Sequence, residues 1–133
     1  MTQGLPLHWR LISQRYNIVG SECTTCGQHF FPKRKLCPEC RRKGEIVDYR
    51  FSGKGVVYSH TTIYAPPTGY DIQKPYVLAI VKLNEGPRIT AQVVDCNPDD
   101  IRIGTRVEAI LRRIKSQPEE GIIRYAYKFR PLR

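Results

Sequence analysis

Two cysteine pairs, Cys23-Thr24-Thr25-Cys26 and Cys37-Pro38-Glu39-Cys40, lie ten residues apart in this 133-residue chain. Two thiolates separated by two residues can grip one side of a tetrahedral cation, and a second pair on a facing turn completes the shell. The neighbouring residues suit such turns. Gly27 follows the first pair, where a tight turn favours a residue tolerant of positive φ, and Pro38 presets a turn inside the second. Residues 20–44 therefore read as a zinc ribbon held by Cys23, Cys26, Cys37 and Cys40. With all four sulfurs engaged, no coordination position stays open for water or substrate, so the Zn²⁺ is structural.

Other thiol chemistries fit less well. Two disulfides would need an oxidising compartment, whereas the cysteine total is odd, at five, and the chain opens on no apolar leader. A redox CxxC needs only one pair, commonly in a βαβ setting. A rubredoxin-type iron site uses the same four ligands, and their type and spacing do not separate iron from zinc. The fifth cysteine, Cys96, stands alone after a strand-like run and reads as a sheltered free thiol. His8, His29 and His60 are scattered over the chain without a paired nucleophile. Asp95, Asp99 and Asp100 fall in a turn, where such residues cap backbone groups. No phosphate-cradling glycine loop is present, because Gly53-Lys54-Gly55 is short and leads into a strand. The expectation is a protein that is not an enzyme.

Charge points to partners. The formal net charge is +10, from 22 Lys+Arg against 12 Asp+Glu. Four thiolates and one Zn²⁺ would leave about +8. The cations crowd the ribbon (Lys33, Arg34, Lys35, Arg41, Arg42, Lys43) and the C-terminal third. Such a surface attracts nucleic acid, nucleotide phosphates or an acidic protein face. No run approaches the ~20 apolar residues of a membrane span, and a reduced, cytoplasmic location with no membrane association is expected.

A ribbon of this size cannot bury enough apolar surface to fold without its metal. Residues 6–14 (PLHWRLISQ) read as a short N-terminal helix, with Leu7 and Leu11 at four-residue spacing and Pro6 in the first turn. Tyr16 to Glu22 reads as a strand entering the first knuckle. From Ile46 the period becomes two. Residues 46–52 and 55–64 read as strands joined through Ser52-Gly53-Lys54-Gly55, whose glycines suit a bend or bulge. Residues 65–75 form a proline-rich loop without regular period. Strands follow at 76–83, 88–94, 107–111 and 122–130, with turns at 84–87, 97–100 and 117–121. Five or six strands with short connections and no crossover helix favour a closed barrel, since closure removes exposed edges. The expected architecture is mainly β, with residues 1–45 forming the helix and a rubredoxin-like zinc ribbon and residues 46–133 an OB-fold β-barrel.

Several stretches then carry a family resemblance: Tyr64-Ala65-Pro66-Pro67, the run from Pro75 to Val81, Leu83-Asn84-Glu85-Gly86-Pro87-Arg88-Ile89-Thr90, and the ending Tyr127-Lys128-Phe129-Arg130-Pro131. Together with the ribbon they resemble domain-of-unknown-function family 35, zinc-ribbon plus OB-fold proteins associated with acyl-CoA enzymes. The short archaeal members resemble the chain over nearly its whole length. The resemblance implies a non-catalytic scaffold that bridges acetoacetyl-CoA thiolase and 3-hydroxy-3-methylglutaryl-CoA (HMG-CoA) synthase in the mevalonate pathway. Thiolase condensation is uphill, so coupling it to the synthase draws acetoacetyl-CoA forward.

The residues themselves offer places for such contacts. Trp9 and Leu11 are more apolar surface than a small helix can hide. Phe30 and Phe31 beside Lys33, Arg34 and Lys35 give an aromatic anchor with a charged rim. Tyr70 and Lys74, in the irregular loop, read as the wall of a groove for CoA or acyl-CoA. The alternative is a nucleic-acid-binding module, in which Tyr58, Tyr64, Tyr125 and Tyr127 would stack on bases. Against it, Tyr125, Tyr127 and Phe129 share a face with Ile123 under period-two alternation, which places them in a core. The scaffold reading is therefore preferred over nucleic-acid binding.

Overall fold

The computed structural model describes residues 5–114 and 124–132. The N-terminal segment is helical for longer than its pattern predicts. Helices α1 (Leu5–Arg10) and α2 (Ile12–Asn17) meet at Leu11, and the N–H groups of Leu11 and Arg15 reach back to Leu7 and Leu11 across the break. Tyr16 and Asn17 thus belong to a helix, not to a strand. What ends α2 is Ile18, at φ 50°. A β-branched residue is costly in that conformation. Ile18 offsets the cost by being 2 % exposed in the hydrophobic core, with its carbonyl accepting from Phe51 N–H.

The ribbon is a three-stranded antiparallel sheet of β1 (Val19–Cys23), β2 (His29–Phe30) and β3 (Ile46–Arg50), in the order β2-β1-β3. Strand β3, expected at the head of the barrel, instead pairs along its whole length with β1, from Val19↔Arg50 to Cys23↔Ile46. The two knuckles bring Ile46 back beside Cys23, so the nearest unpaired edge belongs to the ribbon.

The other five strands close a barrel in the order β4-β5-β6-β8-β7: β4 (Lys54–Ile63), β5 (Tyr76–Leu83), β6 (Arg88–Val93), β7 (Arg106–Arg113) and β8 (Tyr125–Pro131). Pairing is antiparallel except where β6 meets β8 in parallel at Val93↔Phe129. This is an OB-like barrel. The chain is mainly β, as its pattern predicts. Alternating side chains fill the interior, among them Val57, Val81, Leu83, Val107 and Phe129, none more than 1 % exposed. Each such side chain stabilises the fold by roughly 1.5–3 kcal/mol. The bend expected at Ser52–Gly55 stands at Gly53, which takes φ 78°, and a separate register shift falls between Val57 and Ser59. The proline-rich loop contains one 3₁₀ turn, Asp71–Gln73. The predicted turn at 117–121, with residues 122 and 123 of the last predicted strand, lies outside the described residues.

Modules and helices meet through aromatic rings. Phe31 of the ribbon stands edge-on to Phe51 (6.2 Å between centroids) and to Tyr127 of β8 (5.9 Å). Tyr16 of α2 stands edge-on to Tyr125 (6.4 Å). Burial pushes the Tyr127 phenol above its ordinary pKa, and the nearby Arg15 cation opposes that shift.

Candidate metal centre and interaction surfaces

The sulfur atoms of Cys23, Cys26, Cys37 and Cys40 all lie within 4.8 Å of one another. A tetrahedral zinc–thiolate centre with bonds near 2.3 Å has sulfur–sulfur edges of about 3.8 Å, so the four fit one ion. Cys23 and Cys37 are fully buried, Cys40 is half-buried and Cys26 is exposed. The two turns are built alike. In the first, Gly27 N–H donates to Cys23 O at 2.7 Å; in the second, Arg41 N–H donates to Cys37 O at 2.8 Å. Both residues take positive φ, 76° and 51°. Glycine in the first turn announced the geometry, whereas the arginine in the second concealed it, and only its matching position after a CxxC pair could have revealed it.

Gly44 packs against the cluster. A Cβ there would lie 2.7 Å from Cys40 Cβ and 3.2 Å from Cys23 Sγ. The chain therefore keeps that position bare so the thiols can converge. Backbone N–H donation, first from Cys26, holds the Cys23 thiol down at about 6, while burial and the neighbouring thiols push Cys40 up to about 12. A cation would bind here as a cross-link, holding the two turns together and supplying no reactive position. The donor set and spacing agree with structural zinc.

Cys96 stands apart from these ligands. It is half-buried against the barrel core, and burial, then Asp100 and Asp95, raise its pKa. That is the environment of an inert thiol.

The residues expected to meet partners are dispersed. Trp9, on α1, is 75 % exposed, and Leu5 and Leu7 on the same helix are exposed too. The neighbouring His8 is buried beside the Arg15 guanidinium, at 3.5 Å. Phe30 and Phe31 part company. Phe30 is half-buried under the Arg34 guanidinium, 5.1 Å from its ring, whereas Phe31 turns inward to Phe51 and Tyr127. Lys33 Nζ donates to Asp48 at 3.1 Å. The ribbon also bears a concavity that the sequence did not disclose, lined by Leu36, Pro38, Arg41, Arg42 and Lys43 together with Cys37 and Cys40.

Tyr70 is half-buried against Tyr76 (centroids 6.2 Å apart), and Lys74 is exposed. Their loop is anchored by Gln73, which sequence reasoning passed over. Its Nε2 donates to Ile114 O at 3.1 Å, and its Oε1 accepts from Gln92 Nε2 at 3.1 Å and Lys128 Nζ at 3.0 Å. Burial, then the Arg112 charge, lowers the pKa of Lys128. Of the tyrosines considered for base stacking, Tyr127 packs on the core beside the fully buried Phe129, whereas Tyr125, expected in the core with them, is exposed at the end of β8, as are Tyr58 and Tyr64. Among the described residues, no helix is long and apolar enough to cross a membrane.

Comparisons with known proteins agree with this architecture. Residues 14–45 match the family model "ChsH2, rubredoxin-like zinc ribbon domain", and residues 48–112 match "ChsH2, C-terminal OB-fold domain". A DUF35 domain-containing scaffold protein of Methanocaldococcus jannaschii is 48 % identical over 124 residues, covering 93 % of this chain and 88 % of the relative. Its counterpart in Methanothermobacter thermautotrophicus is 50 % identical over 123 residues, covering 92 % of each. Among solved structures, a chain of the "Ltp2-ChsH2(DUF35) aldolase" superposes with a TM-score of 0.71 at 28 % identity, over 98 % of this chain and 96 % of that one. With a metal-ligating ribbon, an OB barrel and relatives of this identity over nearly their full lengths, the chain belongs to the DUF35 family.

Proposed function

We propose that this chain is a non-catalytic scaffold that bridges acetoacetyl-CoA thiolase and HMG-CoA synthase, favouring passage of acetoacetyl-CoA between them. The observation that carries the reading is the division of the surface. The metal centre is closed by four thiolates and has no reactive position, while apolar groups stand out on several elements: Trp9, Leu5 and Leu7 on α1, and Leu36 on the ribbon. Exposed aromatic and aliphatic groups rimmed by Arg and Lys are the composition of interface centres. Relatives about half identical to this chain are named scaffold proteins, and the DUF35 chain of the solved neighbour is part of an aldolase assembly. In this reading Trp9 and Phe30 contact the enzymes, Phe31 braces the contact from behind, and Tyr70 with Lys74 lines the path of the CoA moiety.

Affinity capture of the tagged chain from its native host tests the reading. Recovery of both enzymes is the expected result. Recovery of neither, or mainly of RNA released steeply by salt, would sink it. A reconstituted mixture of the two enzymes should also deliver product faster with this chain than without it, and Trp9→Ala should remove most of that gain.

A further inference from the structure

The second cysteine turn carries a feature that the metal centre does not use. The concavity lined by Leu36, Pro38, Arg41, Arg42 and Lys43 has a volume of about 640 Å³. All of its lining comes from one short stretch, residues 36–43. That stretch is pinned by its own backbone. Arg41 N–H donates to Cys37 O at 2.8 Å, Lys43 N–H to Cys40 O at 3.0 Å and Gly44 N–H to Arg41 O at 3.3 Å. A surface already held in shape loses little freedom when something binds.

The chemistry of this hollow is one-sided. Its wall is mainly apolar, and Leu36 is 55 % exposed, so water covers an aliphatic side chain. Three consecutive cations, Arg41, Arg42 and Lys43, line the same hollow, and no carboxylate does. Among the described residues none of the three has an ion-pair partner, and Glu39, on the same turn, lies outside the lining. The barrel has a concavity of equal volume, lined by Asp95 and Glu108 beside Arg130. There each carboxylate already holds an arginine, Asp95 with Arg112 at 2.6 Å and Glu108 with Arg130 at 2.7 Å.

We propose that the ribbon hollow docks an acidic amphipathic segment of a partner protein. Its apolar side chains cover Leu36 and Pro38, and its carboxylates pair with Arg41, Arg42 and Lys43. Charge complementarity selects an acidic occupant. The apolar wall selects a protein segment over a nucleic acid or a nucleotide. The lining holds no aromatic ring on which a base could stack, and no hydroxyl or carboxamide to read its edge. A phosphate group would also leave Leu36 in water, whereas an aliphatic side chain removes it. The inference rests on the scaffold reading only in that the segment belongs to a partner protein, whichever enzyme supplies it.

Fluorescence anisotropy with the zinc-loaded full chain tests this. The probe is a short labelled peptide of glutamates carrying two leucines one helical turn apart; a second peptide has alanines in place of the leucines. Saturable binding of the leucine peptide at physiological salt is expected. Leu36→Ala, which leaves charge untouched, and Arg42→Glu should each weaken it at least about tenfold. Lys82→Glu, at an exposed position of β5, removes as much charge as Arg42→Glu and should change binding less than about twofold. Bound metal and circular dichroism should be the same in all three variants. Hydrogen exchange gives a readout that needs no variant: amides from Leu36 to Lys43 should exchange more slowly when the leucine peptide is added. No binding, equal binding of the alanine peptide, indifference to Leu36→Ala, or equal sensitivity to Lys82→Glu would each overturn the proposal. So would a single-stranded oligonucleotide or CoA that binds more tightly and protects the same amides, and the hollow would then belong to that ligand. Neither enzyme enters these measurements, so their failure leaves the bridging reading standing, and failure to capture the two enzymes leaves this docking site standing.

Discussion

The ribbon and the barrel solve the same problem with different materials. The barrel excludes water with Val57, Val81, Leu83, Val107 and Phe129, packed by alternation along five strands. The ribbon has little of this. Its innermost residues include Cys23, Cys37 and Ser21, and its centre is four sulfur atoms within 4.8 Å. One module is held by many weak contacts spread over a surface, the other by a few strong bonds to one ion. The first should tolerate small losses and yield gradually, while the second should stand or fall with its ligands.

Metal removal should separate the two most sharply. Structural zinc sites in isolated fingers are worth about 10–16 kcal/mol, so a strong chelator or Cys37→Ser should unfold the ribbon while the barrel keeps its β signature. Far-ultraviolet circular dichroism with metal titration checks this, and loss of both modules together would erase the contrast. Acid should act like the chelator. Protons compete with the metal for thiolates, and Cys23, held at about 6 against an ordinary 9.0, resists them longest. The lowered pKa means its contribution is full above pH 9.0 and is lost as pH falls through about 6. Metal release, followed with a chromophoric chelator, should therefore be least above pH 9.0 and climb as pH is lowered through about 6.

Phe129→Ala should be the heaviest single blow to the barrel, about 3–5 kcal/mol, because the ring is fully buried and leaves a cavity. Denaturant unfolding should show the loss in the barrel transition, with metal affinity nearly unchanged. A loss confined to the ribbon would mean that the modules depend on each other more than their cores imply. Gly44→Ala probes the ribbon by crowding rather than by removal. Its methyl group would press on Cys40 and Cys23, so a cost of about 1–3 kcal/mol should appear as weaker metal binding. The smallest effect belongs to Arg41→Gly. Relief of positive φ at a non-glycine residue outweighs glycine's added chain freedom by less than about 1 kcal/mol, so thermal stability should rise slightly.

Much of this molecule was readable before its structure. The four ligands declare themselves through spacing, and the barrel strands through alternation, because both signals are local. The errors lie where partners are distant in sequence. Tyr16 and Ile18 favour strands by type, yet the chain stays helical through Asn17, with Tyr16 resting on Tyr125 more than a hundred residues away. Ile46–Arg50 alternates like a barrel strand, but the knuckles deliver it to β1 first. Phe30 and Phe31 look equivalent, and only the approach of β8 gives one ring a buried role and leaves the other near solvent. Gln73 lies in a stretch without period, so nothing local marks its hold on Gln92 and Lys128.

The ring contacts among Phe31, Phe51 and Tyr127 have a mechanical meaning. Ribbon and barrel are clasped by interlocking flat plates, so they cannot swing freely about the short Phe51–Gly53 connection. The molecule behaves as an angle bracket rather than as beads on a string. Whatever grips one arm is held at a set distance and tilt from whatever grips the other.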